Sequence, residues 1–349
     1  MLPLTAPPET VCLLRLSAIG DTCHVVPLLR TLQHAWPSTR FTWVIGRTEA
    51  RLMSLIPEVE FITVDKRAGW RGLRDLRRQC QGRRFDVLLH LQLALRASLC
   101  AAVIPARLKL GFDRARAREL QWLFTNSQIA ARHDEHVLDS LLGFATALGV
   151  TEHQLRWDLP LPQDARDHAA KWIPDGAPPT LLISACSSHA RRNWRAERYA
   201  AVARHAVDRH GMQVILVGGP SPLEREMAAA IAGDCPQTIN LVGQDTLPQL
   251  LALLARAHVL LTPDSGPAHM ASMVGTPVIG LYAATRSARS GPYLSRDRCV
   301  DVYAEAAQRF RHTAAEGLPW GHKIEEPGVM DLITTAAVCE RLDALLTRS

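Results

Sequence analysis

Residues 13–32 read LLRLSAIGDTCHVVPLLRTL, a short apolar run followed by a glycine turn and a second apolar segment with helical spacing. The first run predicts a buried strand, and the second segment predicts a helix. The turn between them carries Asp21 directly after Gly20. Because open α/β sheets bind their ligands at the carboxyl ends of the strands, a carboxylate on this turn predicts a functional role for Asp21.

Strands and helices alternate along most of the chain. The strand candidates are 11–16, 41–46, 61–65 and 86–91 in a first series, and 181–186, 213–219, 258–262 and 277–282 in a second. Such alternation predicts parallel sheets with helices on both faces. The Pro- and Gly-rich stretch 172–180 interrupts the pattern and predicts a linker. We therefore expect two tandem doubly wound α/β domains with a cleft between them, 1–172 and 173–349, the second with a C-terminal helix near 330–346.

The composition is that of an ordinary soluble protein, with 47% hydrophobic and 21% charged residues. No apolar run reaches the ~18 residues of a membrane-helix candidate, and residues 1–10 lack the basic segment and apolar core of a signal peptide. The eight cysteines form no C-x-x-C pair, which is typical of reduced thiols. These features predict a cytoplasmic protein.

The positive charge is concentrated in the N-terminal half of the chain. Residues 66–118 contain 14 Lys and Arg but only 3 Asp and Glu, while the whole chain carries a net charge of +6. This surplus is compatible with a solvated helix surface, an anionic small partner, nucleic acid or an acidic membrane surface. Nucleic acid is disfavoured because the stretch contains only Trp70, Phe85 and Phe112 for base stacking.

A second informative stretch, 260–282, reads LLTPDSGPAHMASMVGTPVIGLY. A strand runs into Asp264, Ser265 and Gly266, and Pro267 suits the first position of the helix that follows. The free amides and positive dipole end of such a helix form an anion site, most naturally for phosphate. The alternative is an ordinary N-cap, in which Asp264 or Ser265 satisfies its own helix.

A third stretch, 183–194, reads ISACSSHARRNW. Ser187, Ser188 and the basic side chains of Arg191 and Arg192 follow a predicted strand, and hydroxyls with a guanidinium suit a diphosphate. The alternative is a serine-rich turn with a solvated basic patch. The chain has no D-x-D motif and no H-E-x-x-H pair, so we predict no metal site and no cofactor.

Together these stretches resemble glycosyltransferase family 9, the bacterial lipopolysaccharide heptosyltransferases. The strongest part is 241–293, which contains the family pattern D-[ST]-G-x-x-H-x-A-x-x-x-G-x-P followed by a G-P-Y-like loop. The S-x-x-G-D turn at 17–21 also matches, as do the serines and the Arg two positions before Trp194. One departure is Arg195, where the family frequently has Pro.

The resemblance implies a GT-B fold of two Rossmann-like domains, the first binding the acceptor and the second the nucleotide-sugar. It implies an inverting, metal-independent transfer of L-glycero-D-manno-heptose from ADP-heptose to Kdo or a first heptose of a lipid A-bearing inner core. The enzyme would then be cytoplasmic and peripherally associated with the inner membrane.

The resemblance and the strand ends together assign the predicted roles. Asp21 is the expected general base, because an attacking hydroxyl must lose a proton. The expected donor-binding residues are Ser187, Ser188, Arg192, Glu224, Asp264, Ser265, Gly266, Pro267 and His269. The expected acceptor-binding residues are Lys66, Arg67, Arg71 and Arg118.

Two alternatives remain at this point. The first is the same fold acting on another sugar nucleotide, either as a different glycosyltransferase or as an epimerase. An epimerase needs its acid and base groups around the donor sugar, whereas the carboxylate of Asp21 stands on the first domain. The second is a basic nucleic-acid-binding protein.

Overall fold

The computed structural model describes residues 2–347, which divide into two compact units. The first unit ends at Pro160 and the second begins at Leu161. Within the described residues each unit contains one six-stranded sheet, and all of the strand pairs are parallel. The predicted α/β architecture is therefore confirmed.

The first unit has strand order β3-β2-β1-β4-β5-β6. Its strands are β1 (Thr10–Leu14), β2 (Arg40–Gly46), β3 (Val59–Val64), β4 (Phe85–His90), β5 (Ala106–Gly111) and β6 (Ser127–Gln128). Its helices are α1 (Ile19–Ala35), α2 (Arg47–Met53), α3 (Gly69–Gln79), α4 (Leu95–Val103) and α5 (Val137–Leu148).

The second unit has strand order β12-β11-β10-β7-β8-β9. Its strands are β7 (Thr180–Ile183), β8 (Gln213–Leu216), β9 (Ile239–Asn240), β10 (Val259–Pro263), β11 (Val278–Tyr282) and β12 (Val300–Asp301). Its helices are α6 (Gln163–Trp172), α7 (Ala196–His210), α8 (Pro222–Asp234), α9 (Leu247–Arg256), α10 (Gly266–Met273), α11 (Ser287–Ser290), α12 (Tyr303–Arg311) and α13 (Thr335–Leu346).

The central strands explain the apolar runs of the sequence. Residues Val11, Cys12, Leu13 and Leu14 of β1 are fully buried between β2 and β4. Strands of a parallel sheet that is covered on both faces read as continuous apolar runs for this reason. The strand order reverses between β1 and β4, and again between β7 and β10. Such reversal points are where open α/β sheets bind ligands.

The boundary between the units lies before α6 rather than after it. The sequence predicted a division between 172 and 173, but α6 packs against α9 of the second unit. Gln213 Nε2 donates a hydrogen bond to the carbonyl of Trp172 at 3.0 Å, which also joins the end of α6 to β8. The Pro- and Gly-rich stretch therefore connects α6 to β7 inside the second unit.

No helix within residues 2–347 is both long enough and apolar enough to cross a membrane.

Candidate active site

Asp21 lies in the first turn of α1, just beyond the carboxyl end of β1. Its Oδ2 is 2.5 Å from Nη2 of Arg15 and accepts a hydrogen bond from the amide of Ala18 at 3.1 Å. The side chain is 39% exposed, so a substrate can reach it. The positive end of the α1 dipole also favours a carboxylate at this position.

Arg15 is a site residue that the sequence analysis did not single out. Its Nε donates to the carbonyl of Ser17 at 2.9 Å and its Nη1 to the carbonyl of Leu91 at 2.5 Å. Together with the ion pair to Asp21, these bonds fix a guanidinium that is only 12% exposed. The available signal was an arginine inside the apolar run LLRL, since a buried arginine requires partners.

Lys66 forms an ion pair with the buried carboxylate of Glu49. Its Nζ lies 2.8 and 3.0 Å from the two oxygens of Glu49, whose side chain is 5% exposed. The pair lies against Gly46, where a Cβ atom would come within 2.4 Å of Glu49 Oε2. Removing Lys66 would leave a buried charge without its partner, so Lys66 has a structural function whether or not it meets an acceptor.

The other predicted acceptor residues are exposed side chains on two separate parts of the sheet edge. Arg67 and Arg71 follow β3, whereas Arg118 follows β5, and none of the three has an ion-pair partner within residues 2–347. Three strands lie between β3 and β5, which corresponds to about 19 Å at ~4.8 Å per step. The strands that precede Arg118 and the Arg67–Arg71 segment are therefore not neighbours in the sheet.

The N-terminus of α10 has the geometry of an anion site. Ser265 is the N-cap residue, yet its side chain makes no capping hydrogen bond. Ser265 Oγ lies 2.7 Å from Thr262 Oγ1, and Asp264 Oδ2 accepts a hydrogen bond from Thr285 Oγ1 at 2.9 Å. Ser265 and Asp264 are thus hydrogen-bonded elsewhere, which differs from the alternative of an ordinary N-cap and leaves this end of the helix suited to an anion.

Two details of α10 refine the predicted motif. The helix begins at Gly266, so Pro267 occupies its second position rather than its first. This remains a position where the missing N–H of proline costs nothing, because that amide has no partner inside the helix. His269 lies in the same helix and is buried.

Arg192 and Asp264 come together because the strands that precede them, β7 and β10, are neighbours. Arg192 Nη1 lies 3.6 Å from Asp264 Oδ2, and its Nε and Nη2 donate to Glu325 Oε1 at 3.0 and 2.7 Å. Burial alone would raise the pKa of Glu325, but the hydrogen bonds from Arg192 and the surrounding cations hold this pKa below its ordinary value. Glu325 is therefore ionised, and its carboxylate accepts the hydrogen bonds of the Arg192 guanidinium.

Lys323 is a second cation of this region that the sequence analysis missed. Partial burial and the charge of Arg192 lower the pKa of Lys323, while Glu325 and Asp264 oppose that shift. Ile324 lies between Lys323 and Glu325 in the chain and anchors this segment. It is fully buried, and its amide donates a hydrogen bond to the carbonyl of Ala284 at 2.9 Å. Arg192 and Lys323 thus both interact electrostatically with Asp264, the residue before the N-cap of α10.

The two serines after β7 have different environments. Ser187 is buried, and its Oγ donates to the carbonyl of His189 at 2.9 Å. Its amide donates to Asn193 Oδ1 at 2.7 Å. Both the side chain and the backbone of Ser187 therefore stabilise the conformation of the loop after β7. Ser188 is exposed, and within the described chain its hydroxyl has no protein partner.

Glu224 closes the glycine turn after β8. Its Oε1 accepts the amide of Gly219 at 2.7 Å, and its Oε2 accepts the hydroxyl of Ser221, the N-cap of α8, at 2.5 Å. A Cβ at residue 219 would lie 2.9 Å from Glu224 Oε2, so a larger residue there would displace this carboxylate. The carboxylate is held at the sheet edge, where the sequence predicted it.

The family assignment follows from comparison with known proteins. The model of glycosyltransferase family 9 (heptosyltransferase) matches residues 73–318. The lipopolysaccharide core heptosyltransferase OpsX of Haemophilus influenzae is 40% identical over 342 residues, which cover 98% of this chain and 98% of that protein. The chain belongs to glycosyltransferase family 9.

Solved structures share the fold of this family 9 glycosyltransferase. A family 9 glycosyltransferase from Veillonella parvula superposes with a TM-score of 0.79 at 23% identity, covering 98% of each chain. Escherichia coli heptosyltransferase WaaC, solved with ADP-2-deoxy-2-fluoro heptose, gives a TM-score of 0.67 at 23% identity over 79% of this chain and 89% of its own. The predicted family and the GT-B fold are confirmed.

Proposed function

We propose that this glycosyltransferase moves L-glycero-D-manno-heptose from ADP-heptose to the lipopolysaccharide inner core, either to Kdo or to a first heptose. The observation that carries the proposal is the uncapped N-terminus of α10 beside Arg192 and Asp264, at the strand reversal of the second unit. The similarity to a core heptosyltransferase, and to an enzyme solved with an ADP-heptose analogue, supports this choice of donor and acceptor.

The donor diphosphate binds at the second unit in this proposal. The first-turn amides of α10 and its dipole meet one phosphate, while Arg192 and Lys323 supply positive charge. As the glycosidic bond breaks, these fixed groups stabilise the growing charge on the leaving ADP. Ser188 and Glu224 follow neighbouring strands, β7 and β8, and so lie at the same edge of the sheet. In this proposal Glu224 binds the ribose, and the exposed hydroxyl of Ser188 binds a phosphate oxygen.

Asp21 is the general base of the proposed reaction. Inverting transfer is a single displacement at the anomeric carbon, during which the acceptor hydroxyl loses its proton. Asp21 is partly exposed, and Arg15 holds its carboxylate in one orientation through a guanidinium bonded to two backbone carbonyls. Arg15 is accordingly a positioning residue, because it acts through Asp21.

The part of the chain that carries the basic surplus also exposes large apolar side chains. Within residues 2–347 seven large hydrophobic side chains are exposed, and four of them lie between 70 and 123, namely Trp70, Leu95, Leu120 and Leu123. Trp70 is 77% exposed at the start of α3, a helix that also exposes Arg71, Arg74 and Arg77. Helix α3 packs on α4, and α4 packs on the turn at 121–124, so the elements that carry these side chains are neighbours.

We propose that these side chains form a surface that rests on an anionic membrane leaflet and brings the enzyme to its lipid-anchored acceptor. Exposed Trp and Leu insert at the headgroup level, and each Lys or Arg near an anionic surface adds ~1 kcal/mol. Co-sedimentation with phosphatidylglycerol vesicles tests this. Trp70→Ala should bind less, whereas Leu223→Ala, which removes a 43% exposed apolar side chain from α8 of the second unit, should bind like the wild type. Equal binding of the two variants would contradict the proposed surface.

The activity itself is tested by mass spectrometry of products from ADP-heptose and a panel of truncated lipid A cores. The proposal expects a heptose added to a core that ends in Kdo or in one heptose. Transfer from another sugar nucleotide only, or interconversion of the donor without an acceptor, would favour the alternative enzymes. A thermal shift with an oligonucleotide but none with ADP would favour the nucleic-acid-binding alternative.

A further inference from the structure

Helices α7 and α13 bring two imidazoles and a carboxylate to one point outside the site described above. His205 Nε2 lies 2.6 Å from Asp343 Oδ1, and His210 Nε2 lies 2.7 Å from the same oxygen. The three ligand atoms all lie within 4.8 Å of one another. Among residues 2–347 this is the one group of three or more such side chains that converges in this way.

The two helices hold this cluster on a rigid base. Val202 and Ala206 of α7 belong to the same buried apolar cluster as Val338 and Leu342 of α13. The three ligand side chains above this contact are 19–26% exposed, so an ion can enter from solvent and water can complete its coordination shell. Because α7 starts at the carboxyl end of β7 and runs back along the sheet, His210 lies at the opposite end of that helix from Arg192.

We propose that His205, His210 and Asp343 bind one divalent transition-metal ion, for which zinc is the best match. Two imidazole nitrogens and one carboxylate oxygen are a donor set that zinc accepts, with water in the remaining position. Zinc binds such atoms at ~2.0–2.2 Å. In the structure both imidazoles donate their Nε2–H to Asp343. On binding zinc, a neutral ring must carry its proton on Nδ1 instead, so that Nε2 offers its lone pair.

The bound ion would replace two hydrogen bonds with three coordination bonds between α7 and α13. Binding of the ion is therefore expected to stabilise the C-terminal helix and not to affect the sugar transfer. Arg209 competes with the ion, because its Nε lies 3.6 Å from Asp343 Oδ2. Its side chain is 65% exposed, so Arg209→Ala removes a competing cation without opening the core.

Calorimetric titration of zinc into the chelator-stripped full-length protein tests the site. We expect one zinc per chain, with binding more than about tenfold weaker in His205→Gln and in Asp343→Asn. His34→Gln, which removes an exposed histidine elsewhere, should bind like the wild type, and Arg209→Ala should bind more tightly. Zinc should also raise the melting temperature of the wild type but not that of Asp343→Asn.

Equal affinity and stoichiometry in Asp343→Asn and His34→Gln would overturn the proposal, since zinc would then bind scattered surface histidines. If a ligand variant does not fold, as judged by circular dichroism, Arg209→Ala decides instead. Absence of a one-to-one site in the wild type, or no gain in affinity in Arg209→Ala, would overturn the proposal in that case. These readouts do not depend on sugar transfer.

Discussion

Asp21 is the side chain on which the proposed chemistry depends most directly. We expect Asp21→Asn to lower kcat by about 10²–10⁴-fold, the usual loss when a general base is removed. ADP affinity should not change, because the proposed donor site lies in the second unit. Steady-state kinetics with calorimetry of ADP binding separates the two effects.

A matched control for this substitution is Asp164→Asn, which removes an exposed carboxylate from the first turn of α6. This variant loses the same favourable interaction with a helix dipole but should keep its activity. Turnover of Asp21→Asn within a few-fold of the wild type would mean that the carboxylate only stabilises the start of α1.

His90 makes the stability of the first unit sensitive to acid. It is fully buried at the end of β4, with Nε2 3.1 Å from Ser98 Oγ. Burial lowers the pKa of His90 to about 3, and the charges of Lys109 and Arg15 add to this effect. The unfolded chain takes up this proton near ~6.5. Below that pH the unfolded state binds more protons than the folded state, so stability is lost as the pH falls toward 3.

We therefore expect the free energy of unfolding to fall by about 2 kcal/mol, because of His90 alone, when the pH is lowered from neutral to about 5. Urea unfolding of the wild type and of His90→Gln at both pH values measures this contribution, because the other histidines cancel in the comparison. An identical pH dependence in the two proteins would show that His90 accepts a proton in the folded state.

The N-terminus of α10 lacks a stabilising N-cap bond from Ser265, and in the proposed function the same helix end binds the donor diphosphate. Ser265 stands at the N-cap position, but its side chain makes no capping hydrogen bond. Ser265→Asp would cap the first-turn amides and stabilise the helix by up to ~1 kcal/mol. The added charge would at the same time repel the donor diphosphate. We expect a higher melting temperature together with weaker ADP binding, measured on the same preparation. Unchanged ADP affinity would mean that phosphate does not bind at this helix end.

The loop after β7 and the segment before α13 meet in the Arg192–Glu325 ion pair. Arg192→Ala should weaken ADP binding by about tenfold to a hundredfold, the value of a hydrogen bond to a charged group. Glu325→Gln should tighten ADP binding by a few-fold, because the diphosphate no longer competes with a carboxylate for the guanidinium. Weaker ADP binding by Glu325→Gln in calorimetry would instead make Glu325 a residue that orients Arg192 for the donor.

Much of the fold was readable from the sequence because the central strands are buried on both faces. The runs at β1, β2, β4, β7, β8, β10 and β11 are continuous and apolar. By contrast, β6, β9 and β12 are two residues long and carry no pattern. In β5, Arg107 and Lys109 alternate with Leu108 and Leu110, so it is not a continuous apolar run. The domain boundary was misplaced because a Pro- and Gly-rich stretch marks a loop equally well inside a unit.

The candidate site was only partly readable for a different reason. The glycine turns and the helix start are local patterns, so Asp21 and the residues 264–267 could be selected from short stretches. Ion pairs across the fold have no local signal, and Arg192 and Glu325 are 133 positions apart in the chain. The sequence likewise identified Lys66 but not its buried partner Glu49, which lies 17 positions earlier.

For the protein as a whole, the proposed mechanism requires no divalent ion. In this mechanism the charge of the leaving diphosphate is met by the α10 amides, by Arg192, whose guanidinium is held by Glu325, and by Lys323. Exhaustive treatment with EDTA should therefore leave the transfer rate nearly unchanged. If zinc occupies the site formed by His205, His210 and Asp343, the same treatment should lower the melting temperature, since a ligand of the folded state is removed. Measuring rate and melting temperature on one chelated sample separates the two functions. A rate that collapses with EDTA and returns with magnesium would show that the diphosphate needs a metal ion after all, and the donor site would have to include its ligands.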